Sequence, residues 1–166
     1  MNLTDIPHGS RVFVDANIFI YYFARRGPVE ACKQFLSRVA GGELRAYTSA
    51  LVVAEVIHRL MVIEAHERLQ LPPRKTVSYL KSHPAAVQRL KQHLATTIAF
   101  EQLGISVLDV TYRDLLESEQ IRRRYGLLTN DSLLVAVMHR YKISDLATAD
   151  TDFARLPGLR LWTPAF

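Results

Sequence analysis

Four places in this chain set a carboxylate inside or against an apolar run. They are Asp15 within residues 12–20, Glu55 within 50–57, Asp131 within 127–137, and Asp150 with Asp152 within 146–153. An unpaired carboxylate in such a setting costs several kcal/mol, so each acid needs a partner. Taken singly, each has an ordinary explanation. Asp131 could complement a helix dipole, Asp15 could cap a helix, and Asp150 or Asp152 could cap a short final helix. Glu55 could pair with Arg59 or His58. Taken together, one shared cause is the simpler account: a bound divalent cation. The single cysteine, Cys32, and six scattered histidines argue against zinc, whereas oxygen ligands alone suit a hard ion, Mg²⁺ or Mn²⁺. Such an ion beside a sheet edge points to phosphodiester chemistry, in which it polarises a phosphoryl oxygen and activates water.

The elements that must position these acids follow from the punctuation of the chain. Short apolar strands are expected at 11–15, 45–47, 105–110, 143–149 and 160–162. Helices are expected between them: one from Asn17, one from Pro28 to about Ala40, a long one over 50–68 capped by Thr48 or Ser49, two over 74–83 and 84–103, then 111–125 and 129–141. Strands alternating with helices predict an α/β fold of three layers, a short, mainly parallel sheet covered by helices on both faces. The functional crevice of such a sheet lies at the C-terminal ends of its strands, where Asp15 and Asp150 fall.

The chain has 166 residues, enough for one domain over 1–166, with 66–103 as a helical lobe within it. Apolar residues make up 49%, which excludes a disordered tail. A formal charge of +5 permits a polyanionic partner. Cys32 cannot form an intrachain disulfide and is expected to pack as a small hydrophobe. No secretory signal and no apolar run of ~18 residues is visible, so a cytoplasmic protein without a membrane partner is expected.

The acids and their neighbours resemble a PIN domain, specifically the VapC-like toxin branch. Residues 12–20 are similar to its opening strand with the first Asp, 48–56 to the helix carrying the Glu, and 129–136 to the helix with the third acid. Residues 146–153, followed by Pro157, Gly158 and Pro164, are similar to its closing segment. The likeness runs from about residue 11 to 164. It implies a Mg²⁺- or Mn²⁺-dependent endoribonuclease acting on single-stranded or structured RNA, a homodimer, and a cognate antitoxin protein. Carried over, the catalytic and metal-binding acids are Asp15, Glu55, Asp131 and Asp150, with Asp152 as an alternative or additional ligand, and Asn17 hydrogen-bonds in the site. Residues 66–103 form a longer lobe than the compact toxins need.

Arg25 and Arg26, directly after the first helix, are the candidate RNA-phosphate contacts. Arg122, Arg123 and Arg124 diverge by ~100° each around a helix and cannot share one groove. Arg74, Lys75 and Lys81, with Tyr79 between, have the composition of a single-strand surface. An apolar surplus in residues 18–24 and 50–68 suggests a two-fold contact. The competing reading is a catalytically inactive PIN-type RNA- or protein-binding adaptor, which would have lost one of the acids; all are present.

Overall fold

The structure, a computed structural model, describes residues 1–165 and every side chain among them except that of Pro73. Five strands form one sheet: β1 (Arg11–Val14), β2 (Arg45–Ser49), β3 (Ser106–Leu108), β4 (Asp145–Ala147) and β5 (Arg160–Trp162). Their order is β3-β2-β1-β4-β5, and every pairing is parallel. The α-helices are α1 (Ala16–Ala24), α2 (Val29–Ala40), α3 (Ala50–Leu69), α4 (Pro73–Ser82), α5 (Pro84–Val87), α6 (Thr96–Gln102), α7 (Tyr112–Tyr125) and α8 (Thr129–Arg140). The three-layer parallel arrangement expected from the sequence is the one found.

The central strands are apolar because helices cover both faces of the sheet. Val12, Phe13 and Val14 of β1, and Leu146 and Ala147 of β4, are fully buried. Helix α8 is buried along residues 132–138, which accounts for the unbroken apolar run after Asp131. The chain leaves β1 toward β2 and β3, then returns through α7 and α8 to pair β4 on the other side of β1. The gap between the C-terminal ends of β1 and β4 is therefore the point where the strand order reverses, the usual place for a ligand crevice.

Three sequence expectations change. The strands at 105–110 and 143–149 shorten to Ser106–Leu108 and Asp145–Ala147, and the helix over 84–103 does not exist as one piece. It breaks into α5 and α6 because a buried carboxylate claims the backbone between them. Glu64 Oε2 accepts the N–H groups of Lys91 and Gln92 at 2.8 Å each, while its Oε1 accepts from Arg68 at 2.9 Å. With a side chain 5% exposed, Glu64 holds the lobe to α3. Ala65, Leu80 and Leu90 form a second small core around this anchor.

Helix α6 returns to the main core. Phe100 meets Phe19 edge-on at 4.6 Å between ring centroids and lies 6.1 Å from Phe23. Part of the apolar surplus expected on α1 is thus covered within the chain. The large apolar side chains left exposed include Leu94 and Ile98, Val107 of β3, and Tyr112, Leu115 and Leu116 of α7. Cys32 is buried, and its thiol is pushed up to about 12 by that burial. Trp162 is buried on edge strand β5, and its indole N–H donates to Asp145 at 2.8 Å. Among the described residues no helix is long and apolar enough to cross a membrane.

Candidate active site

Asp15 follows the last residue of β1 and caps α1. Its Oδ1 accepts the N–H of Ala16 at 2.7 Å. Its Oδ2 accepts from the Asn17 amide at 2.6 Å and from the Thr148 hydroxyl at 2.7 Å. Asn17 reaches across to the other strand, where its Oδ1 accepts the N–H of Ala149 at 3.0 Å and its Nδ2 donates to Thr148 Oγ1 at 3.0 Å. Thr148 is completely buried and also accepts the N–H of Asp150 at 3.0 Å. Three side chains from the ends of β1 and β4 therefore lock the reversal point. The capping reading of Asp15 and its place in a polar network are both true of one side chain.

Sequence reasoning found Asp15 and Asn17 and missed Thr148. A threonine beside a short apolar strand looks like an ordinary β-former. Its signal was position: the first residue beyond β4, two before Asp150.

The other acids converge electrostatically on this network. Burial raises the Asp15 carboxyl to about 6; the Thr148 and Ala16 hydrogen bonds oppose the rise, and the charges of Glu55 and Asp131 add to it. Asp131, in the first turn of α8, is likewise raised, first by burial and then by Asp150, Glu55 and Asp152. Burial is the leading cause of both rises, and nearby like charges add to it. Glu55 projects from the second turn of α3 with no ion pair to Arg59 or His58 among the described residues. Asp150 caps the 3-10 turn over Thr151–Arg155, accepting the N–H of Asp152 at 2.8 Å, and Asp152 pairs with Arg155 at 2.7 Å. Of the two fourth-position acids, Asp152 thus already holds a cation from its own turn.

As they stand, no three His, Cys, Asp or Glu side chains among the described residues draw close enough to hold an ion. Asp15 directs both oxygens to protein donors, and uncompensated carboxylates repel one another. Each acid nevertheless supplies hard oxygen donors, the chemistry that suits Mg²⁺ or Mn²⁺.

Arg25 and Arg26 are not brought to these acids. They lie past the far end of α1, about 14 Å along the helix from Asp15. Arg26 is ion-paired with Glu67 of α3. Arg25, in the left-handed conformation (φ 53°), ends α1 and lines a surface cavity with Tyr22 and Lys33. Arg122 is used inside the fold, donating to Ser118 of α7 at 2.8 Å and to Ser132 of α8 at 3.4 Å.

The sequence model of the PIN domain matches residues 12–159. The chain belongs to the PIN domain family. This PIN domain is 29% identical over 154 residues to Ribonuclease VapC2 of Methanocaldococcus jannaschii, spanning 92% of this chain and 93% of the relative. It is 24% identical over 147 residues to Ribonuclease VapC6 of the same organism, spanning 89% and 93%. Among solved structures, a toxin-antitoxin complex from Klebsiella pneumoniae superposes with a TM-score of 0.59 at 21% identity over 93% of this chain and 98% of the other. The Mycobacterium tuberculosis VapC20, a sarcin-ricin loop cleaving toxin, gives 0.59 at 17% identity over 86% and 92%. At those identities the two structures support the PIN fold alone.

Proposed function

We propose that the protein is a Mg²⁺- or Mn²⁺-dependent endoribonuclease and the toxin of a toxin–antitoxin pair, acting in the cytoplasm on single-stranded or structured RNA. The observation that carries this reading is Asp15 fixed by Asn17 and Thr148 where the strand order reverses, its carboxyl raised first by burial and then by the charges of Glu55 and Asp131, while Asp131 is raised by burial, Asp150, Glu55 and Asp152. A fold gains nothing from gathering these acids unless a cation joins them. The two ribonuclease relatives, similar over nearly their whole length, support the same reaction. The antitoxin rests on the toxin–antitoxin complex among the structural neighbours.

In this mechanism Asp15, Glu55, Asp131 and Asp150 would hold the divalent ion, with Asp152, now paired with Arg155, as an alternative or additional ligand. When bound, the ion supplies Lewis-acid polarisation of the phosphoryl group and a water of lowered pKa. Thr148 and Asn17 fix the direction of the Asp15 carboxylate, so the ligand does not have to be ordered during the reaction. Arg25, without an acidic partner among the described residues, would contact RNA phosphate at a distance from the acids; Arg26 would first have to leave Glu67. A homodimer belongs to the same reading, and the exposed apolar residues of α6, β3 and α7 offer surface for it.

Purified protein should cut single-stranded RNA with Mg²⁺ or Mn²⁺ and stop on addition of EDTA. Asp15→Asn, Glu55→Gln and Asp131→Asn should each lose cleavage while remaining folded. Undiminished cleavage by Asp15→Asn would refute the assignment. The adaptor reading would be favoured instead if wild-type protein bound RNA with either ion and left it intact.

A further inference from the structure

Most of the net positive charge of this protein falls on one segment, where acids are sparse. Residues 66–103 hold six Lys and Arg against two Glu, a formal +4 of the chain's +5. Of those six, only Arg68 has an acidic partner among the described residues; Arg74, Lys75, Lys81, Arg89 and Lys91 have none. Unpaired cations on one lobe repel one another, so their accumulation favours a polyanion that spans them.

The same lobe contains a built cavity of about 380 Å³, lined by Arg68, Tyr79, His83, Arg89, Leu69 and Leu90. Its size falls in the range of small-ligand pockets. Tyr79 and His83 lie one turn apart at the end of α4 and stack on each other, with centroids 3.9 Å apart and planes 9° from parallel. His83 Nδ1 sits 2.9 Å from the Tyr79 carbonyl oxygen and 3.0 Å from Ser82 Oγ, which fixes the ring in place. Arg68 Nη1 is held by Glu64 and by the carbonyl of Arg89 at 2.7 Å, which ties α3 to the segment after α5. The arrangement has a preordered aromatic stack, a free arginine and apolar walls. Those are the components that bind one nucleotide of a single strand: a ring for the base, a cation for the phosphate.

We infer that this lobe cavity is a nucleotide-binding subsite for single-stranded RNA, remote from the acids, in which a base stacks on the Tyr79–His83 pair and Arg89 contacts the adjoining phosphate. The inference rests on the ribonuclease reading for the identity of the polyanion. Helix α3 connects the two places: Glu55 lies in its second turn and Arg68 near its end, about 20 Å apart along the axis. A strand seated in the cavity is therefore anchored at a fixed distance from the acids, and the lobe sets which stretch of RNA reaches them.

The 166-residue protein in EDTA, titrated against a fluorescently labelled oligouridylate, tests this by anisotropy. Tyr79→Ala should weaken binding by ~10-fold, while Tyr79→Phe, which keeps the ring, binds as wild type does. Arg89→Ala should weaken binding and lower the slope of log Kd against log salt by ~0.7, the value for one phosphate contact. Arg113→Ala, an equal loss of charge on the exposed surface of α7, should change neither. A 4-thiouridine oligonucleotide crosslinked to wild-type protein should mark residues 79–83, a result independent of how any variant folds. The inference is overturned if wild-type protein does not bind the oligonucleotide, if both lobe variants bind as tightly as wild type, or if crosslinks fall only near Asp15 and Asp131. Cleavage by a protein whose lobe variants bind normally would sink the subsite and leave the ribonuclease standing. Lobe-dependent binding without cleavage under Mg²⁺ or Mn²⁺ would do the reverse.

Discussion

Replacing Asp15 by Asn should remove a pH dependence from the stability of the metal-free protein. Burial raises the folded-state carboxyl from 3.8 to about 6. At about 1.4 kcal/mol per tenfold, that rise is worth about 3 kcal/mol. Its sign is against the folded state at neutral pH. Below 3.8 the group is protonated folded or unfolded, and no penalty exists. As pH rises toward 6 the unfolded chain gives up its proton more readily, so stability falls; above about 6 the whole penalty applies. For a chain of this size, about 3 kcal/mol corresponds to roughly 6–12 °C in Tm. The amide introduced by Asp15→Asn carries no charge to desolvate. It also disturbs the hydrogen bonds from Thr148 and Asn17, but that disturbance is the same at every pH and appears as a constant offset. Thermal melts in EDTA from about pH 4 to 7.5 should therefore show the wild-type Tm falling relative to Asp15→Asn across about pH 4–6 and levelling above it. Parallel profiles would refute the reasoning, because the carboxylate would then be no more costly to bury than to expose.

Three further outcomes follow from the same geometry. Thr148→Val leaves Asp15 Oδ2 and the Asp150 N–H each short of one partner; stability should drop by about 1–3 kcal/mol in a denaturant melt, and cleavage should weaken because Asp15 is no longer aimed. Glu64→Gln removes the charge that holds Lys91 N–H, Gln92 N–H and Arg68, so hydrogen exchange at residues 91 and 92 should speed by ~10-fold or more while the amides of β1 keep their protection. Millimolar Mn²⁺ should raise the Tm of wild-type protein by mass action and raise that of Asp131→Asn less, as measured by scanning calorimetry. Equal shifts in the two proteins would count against Asp131 as a ligand.

The candidate acids were legible in the sequence because charge stood out against its surroundings. Asp15, Glu55 and Asp131 each interrupt an apolar run, which singles them out by charge alone. The parallel sheet was legible for a related reason: strands covered on both faces lose the alternation of polar and apolar residues, as 12–14 shows. What escaped is set by contacts distant in sequence. Nothing in residues 85–95 announces a helix break, since Gly and Pro are absent there; the break is dictated by Glu64, 27 residues upstream of Lys91. Glu64 stands four residues before Arg68, the spacing of an ordinary helix-surface pair, so its sequence neighbourhood does not mark it as buried. Arg26 looked like a free phosphate contact because Glu67 lies 41 residues away in the chain. Each of these is a case of tertiary contact overriding local pattern.

The anchoring of the lobe by Glu64 has a consequence for how such a domain can change over generations. The carboxylate is shielded by the segment it binds and, so enclosed, its charge is tolerable only while Lys91, Gln92 and Arg68 answer it. Shortening the lobe returns the carboxylate to water, where its charge costs little; neutralising position 64 while the lobe remains leaves two backbone donors poorly answered, at a cost of about 1–3 kcal/mol each set against the roughly 5–15 kcal/mol that hold a typical domain together. Loss of the lobe is thus expected to come before replacement of Glu64. A graft of residues 70–95 onto a compact relative should take hold only when the acid at 64 travels with it.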